Sequence, residues 1–268
     1  GKGYCLRRLP MHHRFARARK LRGRWDGWHL AAALACSVAS PTRAGLHYVE
    51  TEDLRVVYYE PGETHLVPHA TQSFLSALAT YKRLLGYVPS DRVNVLLQDF
   101  SDRGNAGAMP APRNRIFFDV AASSEPYETV SPGDRFAWTA AHELTHVVFW
   151  DAASPVDAHY RRFFHGKVEV DPAHPESLLY YYLTVPRATS PRWYQEGNAV
   201  FMETWLRGGV GRAQGGYDEM VFRAMVKDGA KFYDPLGLVS KGTEIDFKTG
   251  ANAYLYGTRF MDYLALKY

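Results

Sequence analysis

The run WTAAHELTHVVFW, residues 138–150, sets two histidines and a glutamate inside an otherwise apolar segment. On an α-helix, residues i and i+4 lie one above the other on the same face. His142 and His146 can therefore offer two imidazoles to one ion. Zn²⁺ accepts histidine nitrogens at about 2.0–2.1 Å in a tetrahedral shell. Glu143, one position past the first histidine, can reach a water on that ion without ligating the ion itself. Water alone is a poor nucleophile; zinc lowers its pKa toward about 7, and a nearby carboxylate takes the proton. The competing reading is a structural pair of core histidines. It is costly, because two histidines and a glutamate would be buried with no cation between them.

A third protein ligand is needed, and Glu196 in PRWYQEGNAVFMETW is the best candidate. That segment reads as a second helix beginning near Pro191. Its carboxylate would complete a His₂Glu set with one open position, the layout of catalytic zinc. Taken alone, Glu196 is an ordinary solvent-facing helical glutamate; beside HELTH the balance reverses. Glu203, seven residues on, shares its face and could hydrogen-bond a ligand, although an exposed acid fits the spacing equally well.

These two helices need a body to hold them. LHYVET and LRVVYYEP, within 46–61, alternate like two strands joined by a short polar turn. Residues 69–86 carry apolar side chains at helical spacing and stop at Gly86. VNVLLQDF (93–100) and RIFFDV (115–120) read as strands, separated by the Gly/Pro-rich loop RGNAGAMPAPRN. Ser131 as cap, Pro132 in the first turn and Asp134 at the positive dipole end open the HELTH helix, which runs to about Trp150. Helical patterns then cover 155–165, 175–184, 191–206, 216–228 and 252 onward. Strands first and helices after predict an α+β domain with a small N-terminal sheet and a mainly helical C-terminal part. LLYYYLTV (178–185) reads as core rather than a lipid or ligand face. GGVGRAQGG (208–216) follows a helix and not a strand, so it reads as a turn rather than a dinucleotide loop. His159, His165 and His174 read as surface or packing histidines.

Charge separates the front of the chain from its body. Residues 1–44 hold 10 Lys/Arg and one acid, Asp26, while the remaining 22 Lys/Arg and 27 Asp/Glu leave the body at −5. The charge balance thus gives no support to a basic nucleic-acid surface on the body. After Met11 come a basic stretch, the short apolar run WHLAAALACSVA (28–39), and Thr42 and Ala44 as a small-x-small cleavage site. This is the pattern of a secretory signal peptide. It predicts a leader over 1–44 and an extracytoplasmic location, periplasmic or secreted, for 45–268. Lipid anchoring at Cys36 is the weaker reading, because Ala33 stands where a lipobox usually has Leu. The only cysteines, Cys5 and Cys36, fall in the leader, so the body has no disulfide and no thiolate ligand. No stretch after residue 45 is long and apolar enough to cross a membrane.

HELTH followed by RWYQEG resembles the gluzincin class of zinc metallopeptidases, in which HExxH is completed by a glutamate on a later helix. The resemblance implies a zincin-like fold, one zinc per chain, His142, His146 and Glu196 as metal ligands, and Glu143 as general base. AYLYGTRF is similar to the Y-x-x-G of zinc aminopeptidases and implies Tyr254 as the group that stabilises the oxyanion; an aromatic core residue fits Tyr254 equally well. Over most of 46–268, YYYLTVPR, GGYDEMVFRAM and YLYGTRFMDYLALKY resemble bacterial extracytoplasmic proteins with a peptidase-like domain ahead of a TolB-like β-propeller. On that resemblance the chain is a C-terminally truncated piece lacking the propeller. GAM within RGNAGAMPAP is similar to the GAMEN strand of aminopeptidases, but Pro110 and Ala111 follow where the amine-binding glutamate would stand. The expected activity is therefore endopeptidase cleavage of a peptide or protein, with RIFFDV as an edge strand for the substrate. The alternatives are a zinc-binding peptidase-fold module serving as a scaffold in a periplasmic assembly, and a zinc hydrolase acting on a non-peptide bond.

Overall fold

Alternating side chains build the sheet. A computed structural model describes residues 45–102, 104–122, 133–232 and 252–268; the expected leader, with both cysteines, and Ser131 and Pro132 lie outside the described residues. The strands are β1 (Gly45–Glu50), β2 (Leu54–Glu60), β3 (Val93–Gln98), β4 (Ala106–Met109) and β5 (Arg115–Asp119). Their order is β1-β2-β3-β5-β4. β1/β2 and β4/β5 are antiparallel; β2/β3 and β3/β5 are parallel. Register places Val56 against Val95 and Leu97 against Phe118. Every second residue of β2, β3 and β5 is buried (Leu54, Val56, Val93, Val95, Ile116, Phe118), as a sheet covered on one face requires.

Two helices cover that face. α1 (Val67–Leu85) contributes Phe74, Leu78 and Tyr81, and α2 (Arg135–Asp151) contributes Ala140, Leu144, Val147 and Val148 to the same core. α1 stops at Gly86, whose positive φ of 63° is the left-handed conformation glycine adopts without penalty. The Tyr81 hydroxyl donates to the Ala141 carbonyl at 3.0 Å and lies 2.5 Å from Thr145 Oγ1, fixing α2 against α1. The α2 cap differs from expectation: Asp134 itself is the N-cap, its side chain accepting from the Ala137 amide. A carboxylate both bonds that orphan donor and meets the positive end of the dipole.

The C-terminal part is helical: α3 (Pro155–Phe163), α4 (Ser177–Thr184), α5 (Arg192–Trp205), α6 (Gly216–Lys227) and α7 (Asn252–Lys267). Short 3₁₀ turns occupy Pro186–Thr189 and Arg212–Gln214. α5 lies on α2 and crosses α7 backbone to backbone. A Cβ at Gly197 would overlap the Gly257 backbone, and one at Gly257 would overlap the Trp193 carbonyl. The glycines of QEG and YGT thus let the two helices approach closely.

The protein is α+β, with a small mixed N-terminal sheet and a helical C-terminal part. Besides the α2 cap, three local expectations are corrected. The Gly/Pro-rich loop holds a strand, β4. RIFFDV is not an edge: β5 lies between β3 and β4, and β4 is the outer strand. LLYYYLTV is not mainly core, since Leu178, Leu179 and Tyr182 are exposed. No described helix is long and apolar enough to cross a membrane.

Candidate metal centre

The i,i+4 spacing on α2 brings His142 and His146 to one face, and α5 delivers Glu196 opposite them. Glu196 Oε2 lies 3.4 Å from His142 Nε2 and 3.3 Å from His146 Nε2. A tetrahedral shell with bonds of about 2.0–2.1 Å separates its donors by about 3.3–3.4 Å. The three side chains are 7%, 8% and 12% exposed, and one ligand atom from each falls within 4.8 Å of the others. Glu196 Oε2 is buried without a hydrogen-bond partner. A buried carboxylate oxygen left unpaired is expensive; a shared cation removes that cost. This group of residues can hold a metal ion.

The ring orientation of His142 is set from behind. Its Nδ1–H donates to Glu203 Oε2 at 2.6 Å, and this partner assigns the tautomer that turns the Nε2 lone pair toward Glu196. Glu203 is fully buried, and Arg212 grips it by both oxygens, Nε to Oε1 at 2.7 Å and Nη2 to Oε2 at 2.8 Å. Burial alone would raise the Glu203 carboxyl, but Arg212 and His142 bring it down to about 2, so it stays ionised. The His146 ring stacks on Trp150 at 5.1 Å.

Without a metal, His142 takes up a proton. Burial would lower its pKa, but Glu196 and Glu203 together raise it from 6.5 to about 10. The same histidines draw the Glu196 carboxyl well below its ordinary value against the pull of burial. Glu143 is buried beside them, and burial raises its carboxyl above the usual range, against His142 and His146. A carboxylate shifted upward is a better general base near neutral pH.

Glu143, His142, Trp138, Arg212 and Tyr254 line a cleft of ≈ 50 Å³ that also reaches Asn105 and Ala106 at the start of β4. The Tyr254 ring lies 6.2 Å from the His142 ring, nearly parallel to it. Burial and the Glu196 charge push the Tyr254 phenol upward, so it keeps its proton.

The structure thus brings His142, Glu143, His146, Glu196 and Tyr254 together, with Glu203 behind. His159, His165 and His174 stay exposed and outside the site. Sequence reasoning missed Arg212. It sits in the glycine-rich 208–216 segment, correctly read as a turn, and a lone arginine there carries no periodic signal. At Gly211 a Cβ would overlap Thr204 of α5, so the turn lies flat on the ligand helix and aims Arg212 inward. No protein-family model matches the chain, and no curated protein matches it.

Proposed function

We propose that this chain is a zinc-dependent peptide hydrolase with a zincin-like, gluzincin-type site, acting as an endopeptidase. The observation that carries this reading is the convergence of two Nε2 atoms on one carboxylate oxygen, each at tetrahedral donor spacing from it, with Glu143 on the adjoining cleft. His₂Glu favours zinc among the available metals. Bound zinc supplies Lewis acidity for a carbonyl and a lowered pKa for water.

The chain's own residues do the rest. Glu143 accepts the proton from the attacking water and passes it to the leaving amine. The protonated Tyr254 hydroxyl donates to the oxyanion as it forms. Glu203 and Arg212 hold the His142 ring in place. The start of β4 lines the cleft, and the outer edge of this strand can pair with an extended peptide main chain. Pro110 and Ala111 leave no carboxylate after GAM for a free amine, which favours internal cleavage over removal of an N-terminal residue. Work outside the cytoplasm, next to a β-propeller, belongs to the same proposal and rests on the leader and the resemblance alone.

Metal analysis with fluorogenic peptide libraries tests the reading. Zinc-loaded wild type should cleave, and Glu143→Gln should keep its metal while losing about 10²–10⁴-fold in kcat. Cleavage unaffected by Glu143→Gln rules out the base. The small cleft favours a second reading, because ≈ 50 Å³ admits little more than a water or two. That reading is a metal-binding module of peptidase fold acting as a scaffold, and zinc binding with no turnover across a broad library selects it.

A further inference from the structure

One arginine touches both the ligand carboxylate and the candidate oxyanion donor. Arg192 is the first residue of α5, one turn before Glu196. Its Nε lies 3.4 Å from Glu196 Oε1, and its Nη2 donates to the Tyr254 hydroxyl oxygen at 3.3 Å. The two Glu196 oxygens therefore have different surroundings: Oε1 meets the guanidinium, and Oε2 meets the two imidazoles without a hydrogen bond. A carboxylate with one oxygen held by a cationic donor presents the other alone. Arginine carries only donors, so in its bond to Tyr254 the phenol oxygen is the acceptor. The phenol's single proton is left to donate elsewhere.

We propose, on the metallopeptidase reading above, that Arg192 is a positioning residue with two tasks: it keeps Glu196 a one-oxygen ligand, leaving a metal position open, and it keeps the Tyr254 hydroxyl a donor. A four-carbon ammonium at the same position would do only the first, because lysine is a point charge without a fork. Arg192 is 41% exposed at a helix start and its guanidinium lies 5.5 Å from the Tyr254 ring centre, so methionine, which keeps the apolar stem, is the replacement that disturbs packing least.

Two measurements test the proposal. The first uses cobalt in place of zinc and needs no turnover. The wild-type protein should give the intense visible bands of four-coordinate cobalt. In Arg192→Met the freed Oε1 should join the metal and the bands should weaken several-fold, with one cobalt still bound per chain and the thermal midpoint retained. Arg192→Lys should restore the bands. Wild-type bands in Arg192→Met overturn the proposal, whatever the kinetics.

The second is a double-mutant cycle with a cleaved peptide. Arg192→Lys, which keeps the Glu196 task and loses the tyrosine task, should lower kcat about tenfold with KM little changed, as expected for an interaction made mainly in the transition state. It should have no further effect in Tyr254→Phe. An equal loss in both backgrounds overturns the tyrosine task. If the zinc-loaded wild type cleaves nothing, the peptidase reading and the tyrosine task fall together, while the cobalt spectra still decide the task at Glu196.

Discussion

Helix α2 carries two buried charge clusters of opposite design. At its C-terminal end, Asp151 has every oxygen partnered. Oδ1 takes Lys167 Nζ at 2.8 Å and the Ser90 hydroxyl; Oδ2 takes the Tyr87 hydroxyl at 2.8 Å and the Ser90 amide at 2.7 Å. Lys167 also donates to Asn114 Oδ1 at 2.6 Å. Arg161 closes the last carbonyls of the helix, those of Trp150 and Asp151. Two carboxylates, Asp151 and Asp91, meet two cations, Lys167 and Arg161. Burial would raise the Asp151 carboxyl, but Lys167 and Ser90 hold it down.

Two turns earlier the arginines alone do not balance the carboxylates. Glu143, Glu196 and Glu203 crowd around the histidines with Arg212 as the inner cation and Arg192 on the rim, and Glu196 Oε2 faces the two imidazoles without a hydrogen bond. One cluster is complete with its own lysine and arginine; the other needs a further cation, a proton on His142 or a metal that displaces it. Burying polar groups is common to both; carboxylates in excess of their fixed cations are what mark a ligand site.

The sharpest way to break this contrast is to remove a cation from the closed cluster. Lys167→Met leaves Asp151 buried with one fewer partner and should cost about 3–5 kcal/mol in urea unfolding. The protein that remains folded should bind zinc with wild-type affinity. A matching loss of zinc affinity would show the two clusters to be one.

At the open cluster the expected effects are smaller and fall on the metal. Glu203→Gln keeps the shape but weakens the hold on His142 Nδ1, and zinc should bind about 10–100-fold more weakly in a chelator competition. Unchanged affinity would remove Glu203 from the metal site.

The smallest effect is a pH dependence. His142 in the metal-free protein, with its pKa raised from 6.5 to about 10, keeps a proton at neutral pH that a metal must displace. Zinc affinity should therefore rise with pH, by at most about tenfold per unit for one proton, and level off near the raised value. By linkage, the same shift stabilises the metal-free fold below the ordinary value, and that contribution is lost as pH rises through about 10. Affinity independent of pH between about 6 and 8 would contradict a protonated His142.

Much of this was legible in the sequence because it is periodic. His142 and His146 are one helical turn apart, Glu196 and Glu203 two turns apart, and strands β2, β3 and β5 alternate cleanly. What escaped has no period. β4 is AGAM, four residues with no β-branched side chain, and it forms because β5 offers it a partner and because Gly107, where a Cβ would overlap the Phe117 ring, lets it lie close. Arg212 and Lys167 reach their carboxylates from turns and loops, so only tertiary packing defines their neighbours. The α4 face looked like core by composition, yet hydrophobic content does not say whether another element arrives to cover it.

X-ray absorption at the zinc edge, on the full chain reconstituted with zinc, tests the central claim most directly. One zinc per chain with two imidazole nitrogens and oxygen donors at about 2.0–2.1 Å is the expected shell, and Glu196→Gln should alter it. Substoichiometric zinc, or a shell with fewer than two imidazoles, would contradict a metal centre built from His142, His146 and Glu196.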